Sequence, residues 1–215
     1  MNEKLKYVTA DRWYSLWHKL GGPVGYRNFT AYQDLIKKYA EPHRKYHNIF
    51  HVESCLAEFA DVKELALNPR ALELAIWYHD VVYNINANDN EEQSAVFAGR
   101  AIAELFPFPE ALTKSVAEII LATKHNSVPE SYDAKLMLDI DIVNIGRPEV
   151  FKITNRLVQE EYASVTEKRF IEGRSNILEL FLARPRIYLT DYFYEKYEVA
   201  ARKNIAEALA ELNGK

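Results

Sequence analysis

Two imidazoles and two carboxylates stand out along the chain: His51, the vicinal pair His79-Asp80, and Asp141. His51 closes Tyr46-His47-Asn48-Ile49-Phe50-His51, the pair lies in Ala75-Ile76-Trp77-Tyr78-His79-Asp80-Val81-Val82-Tyr83, and the last carboxylate lies in Leu138-Asp139-Ile140-Asp141-Ile142. Neutral imidazoles and ionised carboxylates are ligands of divalent metals. A mixed nitrogen and oxygen set suits Mn, Fe, Zn or Co, whereas Mg is better served by oxygen alone. Four protein ligands leave positions on an octahedral ion for water and a phosphate oxygen, the arrangement that phosphoester hydrolysis needs. Each residue alone has a blander role: a core histidine, a helix-end carboxylate, a cap or ion-pair partner. Brought together from apolar helices, the four would form a mixed nitrogen and oxygen metal site.

The elements that must position these groups are helical. Alternating strand patterns are almost absent, and apolar residues recur at helical spacing throughout. The pattern predicts helices over 10–20, 30–40, 49–66, 70–83, 91–106, 110–125, 134–145, 148–164, 167–183 and 191–212. Pro69, Pro109 and Pro148 stand at helix starts, where a missing N–H costs nothing, and Gly21-Gly22 and Gly146 fall where helices end. Leu72, Ala75, Ile76, His79 and Tyr83 share one face of the fourth helix, which turns His79 inward. Asp80 sits in that helix's last turn, where unsatisfied carbonyls make the local field negative and a cation is wanted. Asp139 and Asp141 face apart. Asp141 shares a face with Met137, Leu138 and Ile145, while Asp139 stands above Lys135, a surface partner at i−4. Asp141 is therefore the expected ligand. The expectation is an all-α helical bundle in one domain, 1–215.

Composition sets outer bounds. The chain has 215 residues, 48% hydrophobic and 27% charged, as in an ordinary globular protein, and its net charge of −4 gives no reason to expect a nucleic-acid polymer or an acidic membrane surface as partner. The one cysteine, Cys55, excludes an internal disulfide and reads as a small buried hydrophobe. Met1-Asn2-Glu3-Lys4-Leu5-Lys6 carries charges with no apolar run behind them, so neither a signal peptide nor a membrane span is expected, and a cytoplasmic setting is.

The set His51, His79-Asp80 and Asp141 resembles the H…HD…D signature of the HD superfamily of metal-dependent phosphohydrolases. The resemblance covers about residues 44–146, an HD core with helical additions at both ends. Pro42-His43-Arg44, Leu138-Asp139-Ile140-Asp141, Glu160-Glu161-Tyr162 and Gly173-Arg174 are similar to a bacterial group of predicted HD phosphohydrolases with no assigned substrate. The resemblance implies an HD-type bundle holding divalent metal, one ion or two, with His51, His79, Asp80 and Asp141 as ligands. It implies hydrolysis of a phosphomonoester or phosphodiester of a small metabolite, a nucleotide being the favoured class. The alternative is a non-catalytic sensor of metal and nucleotide on the same fold; homodimerisation stays open.

Tyr46-His47-Asn48-x-x-His51 is similar to the string opening the catalytic domain of cyclic nucleotide phosphodiesterases. That similarity implies a general-acid role for His47. Glu91 follows the pair in the first turn of a helix, on the face of Ala95, Ala98 and Ile102, and is the candidate to orient or deprotonate the attacking water. Arg44, Lys124, Arg156 and Arg174 are the candidate phosphate contacts, with His125 beside them. Some departures narrow the substrate. No Gly-Tyr-Pro follows, against a cyclic dinucleotide, and Val81-Val82-Tyr83 replaces the Glu-Asp run of alarmone hydrolases, against pyrophosphate cleavage.

Overall fold

Side-chain caps and prolines start several of the helices. Thr9 Oγ1 accepts from the Arg12 amide at 3.1 Å, Asn48 Oδ1 from Phe50 at 2.9 Å and Asn68 Oδ1 from Ala71 at 3.2 Å, while Pro69 and Pro148 occupy first-turn positions. The computed structural model describes residues 5–22 and 25–214. Among them the chain forms ten helices: α1 (Ala10–Leu20), α2 (Tyr26–Tyr39), α3 (Ile49–Val62), α4 (Pro69–Tyr78), α5 (Asn90–Leu105), α6 (Glu110–Ala122), α7 (Tyr132–Asp141), α8 (Pro148–Glu161), α9 (Glu167–Ala183) and α10 (Asp191–Asn213). Short 3-10 turns occupy Lys63–Leu65 and Val143–Gly146, and no strand occurs among the described residues. The protein is all-α. No helix among the described residues is long and apolar enough to cross a membrane.

The chain divides into two compact units, Met1–Met137 and Leu138–Lys215, with the division inside α7. In the first unit α4 is central. Every residue from Ala71 to Tyr78 is buried, and the helix packs on α1, α3, α5 and α6. A helix apolar on all sides belongs inside a protein. Its one acid, Glu73, meets Arg12 at 2.6 Å. Trp13 lies edge-on to Trp17, Trp77 and Tyr78, and its indole N–H donates to Asn28 on α2. That bond makes Asn28 a core residue, and α2 begins at Tyr26, four residues before the predicted start. Two carboxylates clamp the chain before helices. Glu53 accepts from the amides of Lys6, Tyr7 and Val8 at 2.6–2.9 Å, and Asp133 accepts from Leu67 and Asn68 at 2.7 Å.

The second unit repeats the device. Asp139 is fully buried and accepts from the amides of Leu189 and Thr190 at 2.7 Å and from the Thr190 hydroxyl at 2.6 Å, which fixes the chain entering α10. The expected surface position above Lys135 is thus corrected, because three donors fifty residues away draw the carboxylate inward. Glu198 likewise accepts from Ile187 and Tyr188. Gly146 is needed for close approach, since a Cβ there would lie 2.6 Å from Tyr197 Cβ. Near the start of α10, Tyr188 is buried, stacks on Phe193 and donates to the Ile142 carbonyl at 3.2 Å.

Replacing Asp139 with Asn removes one of two acceptor oxygens and turns an N–H group toward a buried amide. Asp139→Asn is expected to lower unfolding free energy by about 1–3 kcal/mol at unchanged helix content. An unchanged midpoint in urea denaturation would contradict the clamp.

Candidate metal centre

α3 and the end of α4 supply the site in the first unit. The Asn48 cap starts α3 at Ile49, which sets His51 in the first turn with its ring buried. His43 and His47 precede the helix, so the three histidines at four-residue spacing form no continuous stripe.

The end of α4 departs from the sequence pattern. The apolar spacing carries the helix to Tyr83, yet it stops at Tyr78. Side chains capture the carbonyls that a further turn would use. Tyr39 Oη donates to the Trp77 carbonyl at 3.1 Å, His79 Nδ1 donates to Ile76 at 2.9 Å, and the Arg44 guanidinium donates to Asp80 at 2.6 Å and Val81 at 3.0 Å. Ser94 on α5 then holds the Val82 amide at 3.1 Å. Tyr39 and His79 satisfy orphan carbonyls of the helix C-terminus, Arg44 holds the two carbonyls just beyond it, and His79-Asp80 becomes a turn instead of a helical pair. Tyr83 leaves the predicted face and stacks on His47 at 4.2 Å.

The turn brings three electron-rich atoms together. His51 Nε2 lies 3.1 Å from His79 Nε2, His79 Nε2 lies 3.1 Å from Asp80 Oδ2, and His51 Nε2 lies 3.6 Å from the same oxygen. The Ile76 carbonyl can only accept, so His79 Nδ1 carries the proton and Nε2 presents a lone pair to the cluster. A proton can bridge one pair of these atoms; a divalent cation satisfies all three. Two ligands at about 2.1 Å from one ion lie about 3.0–3.4 Å apart, for octahedral or tetrahedral angles. The donor set and its spacing fit a divalent metal.

Charge supports the same assignment. Burial on its own raises the Asp80 pKa, but His79 beside it, with His47 and His51, holds the carboxyl well below the ordinary carboxylate range. Burial, reinforced by the charge on Asp80, raises the Tyr39 phenol well above its ordinary value, so the hydroxyl stays a neutral donor to Trp77. Cys55, one helical turn beyond His51, is the residue that sequence reasoning passed over. It is buried, with Sγ 3.8 Å from His51 Nε2 and 3.9 Å from Nδ1. The signal was present in His51-x-x-x-Cys55, a spacing that puts both on one helix face.

The other candidates fall in varied places. His47 is half-buried beside His51, with 6.0 Å between ring centres. Glu91 is half-buried in the first turn of α5, on the face whose Ala95, Ala98 and Ile102 are buried. Arg44, expected among the phosphate contacts, is instead buried with its nitrogens on Glu41 and the carbonyls of His47, Asp80 and Val81. Lys124 bonds Asn88 O at 2.7 Å and Glu92 at 2.5 Å, tying the loop before α5 to the end of α6. α6 stops at Ala122, short of the predicted 125, and His125 takes the left-handed conformation (φ 57°) that closes the helix. Asp141, the last residue of α7, is half-buried and belongs to the second unit, as do Arg156 and Arg174. Arg156 pairs with Glu160 at the surface, and Arg174 donates to Asn155 at 2.9 Å, joining α9 to α8.

No family model, curated protein or solved structure matches the chain.

The Arg44 cap has its own test. Lysine keeps the charge but cannot span several carbonyls with a planar fork. Arg44→Lys is expected to cost about 1–3 kcal/mol of stability in the metal-free protein, because buried carbonyls lose their donors. Wild-type stability in urea would remove Arg44 from the structural role.

Proposed function

We propose that the protein is a metal-dependent phosphohydrolase of the HD type, acting on a small phosphorylated metabolite, with nucleotides the favoured class. The observation that carries this reading is the convergence of two histidine Nε2 atoms and an ionised Asp80 oxygen within 3.1–3.6 Å, with the His79 tautomer fixed by Ile76. His51, His79 and Asp80 would hold the ion, and the order of motifs along the sequence adds Asp141 to them. When bound, a divalent ion acidifies water and neutralises charge on phosphoryl oxygens.

The chain's own groups have distinct tasks in this reading. Asp80 stays ionised and so holds a cation without first losing a proton. The Ile76 carbonyl keeps the His79 proton on Nδ1, which orients the ring and raises the basicity of Nε2. His47, stacked on Tyr83 beside His51, would donate an imidazole proton to the leaving oxygen. Glu91 would accept a proton from the attacking water. Lys124, with His125 next to it, would contact phosphate, and Arg156 and Arg174 remain candidates on sequence grounds. A cytoplasmic setting goes with this proposal.

The protein is expected to bind about one Mn(II) or Zn(II) per chain, because neutral imidazoles are its ligands. Protons compete for those nitrogens, whose ordinary pKa is about 6.5, so affinity should fall as pH drops from about 7 to 5. Affinity independent of pH over that range would exclude imidazole ligation. Asp80→Ala should lose metal-supported phosphate release from a nucleotide panel while keeping its helix content. Full activity in that variant would remove Asp80 from the site. Metal binding without release of phosphate from any nucleotide would instead make the protein a sensor.

A further inference from the structure

We propose that Arg147, Lys196 and the phenols of Tyr192 and Tyr197 form a binding site for a tetrahedral oxyanion, inorganic phosphate being its simplest ligand. The site lies wholly within the second unit and is independent of the metal-centre reading, which uses none of these four residues.

Two cations converge on one buried ring. The Arg147 guanidinium carbon lies 5.7 Å from the ring centre of Tyr197, and its Nη2 donates to Tyr197 Oη at 3.4 Å. The Lys196 ammonium lies 5.0 Å from that same centre and 5.0 Å from the ring of Tyr192, whose hydroxyl accepts from it at 2.9 Å. The phenols that accept these bonds are neutral and cancel neither charge. On α10 the residues one turn from Lys196 are Tyr192, Phe193, Val199 and Ala200, so no helical neighbour supplies a carboxylate. An oxyanion between the two cations replaces like-charge repulsion with charge-assisted bonds. Tyr192, having accepted from Lys196, keeps its own O–H to donate to the same anion.

The backbone that carries Arg147 is held in place. A Cβ on Gly146 would lie 2.6 Å from Tyr197 Cβ, so the chain passes hard against that residue. Asn204 Nδ2 donates to the Ile145 carbonyl at 2.7 Å and Tyr188 Oη to that of Ile142 at 3.2 Å, which ties down the turn before Arg147. Pro148 then fixes φ at the first position of α8. Arg147 is half-buried and Lys196 exposed, so the pair is open to a ligand from solvent. Arg147 is also the N-cap of α8, where the positive end of the helix dipole adds to its charge. A planar fork beside a point charge matches phosphate oxygens, which chloride lacks.

Isothermal titration of the chelator-treated protein with inorganic phosphate, at ionic strength held constant with chloride, tests this apart from any activity. Saturable binding of one phosphate per chain is expected. Lys196→Gln and Arg147→Gln should each weaken it at least ~10-fold, the scale of a lost charged hydrogen bond. Asp80→Ala should bind phosphate as the wild type does. No saturable binding in the wild type, or binding undiminished in both Gln variants, would overturn the site. Loss of binding in Asp80→Ala would move the anion to the turn after α4 and equally overturn it. If Arg147→Gln fails to fold, the exposed Lys196→Gln decides.

Discussion

The capture of α4's terminal carbonyls is the constraint on which the candidate site depends. A helix left to its apolar pattern would run on past His79 and carry Asp80 about 100° around the axis from it. His79 itself and Tyr39 take the α4 carbonyls of Ile76 and Trp77, and Arg44 takes those of Asp80 and Val81 in the turn that follows. The chain turns, and the Asp80 carboxylate swings to 3.1 Å from His79 Nε2. One histidine nitrogen thus ends a helix while the other faces the cluster. The same atoms that satisfy the backbone set the tautomer, so fold and site cannot be varied independently.

Buried carboxylates organise the rest. Glu53, Asp133, Asp139 and Glu198 each grip two or three consecutive amides in segments between helices. A carboxylate with several N–H donors is held in place, and at Asp139 burial outweighs the donors and pushes the carboxyl up to about 6. Acid runs in such a chain are therefore poor guides to chemistry. Asp139, two residues before Asp141, is held by two backbone amides and a hydroxyl.

What was legible in the sequence follows from range. Helix periodicity, N-caps and prolines are local, and the ten helices appear where the pattern puts them, with ends shifted. The ends that moved most have distant causes. Arg44 acts on Asp80 from thirty-six residues away, and Asn28 is drawn inward by Trp13. Asp139 misled for the same reason, since Leu189 and Thr190 lie far along the chain from it. The pairing of His51 with His79-Asp80 was readable because it needs only residue types and two neighbouring helices. Cys55 was readable too, by its spacing from His51, but a lone cysteine in apolar sequence looks like packing until its neighbours are known. Arg44 shows the opposite error: a cation expected at phosphate is bound to backbone instead.

The central claim is that the His51 and His79 imidazoles share one divalent ion. X-ray absorption at the zinc edge of the Zn(II)-loaded protein tests it most directly. The account predicts multiple scattering from two imidazole rings in the first coordination sphere, alongside oxygen or sulfur. A shell of light atoms with no imidazole contribution would contradict it, because the ion would then sit on surface carboxylates and away from the buried turn.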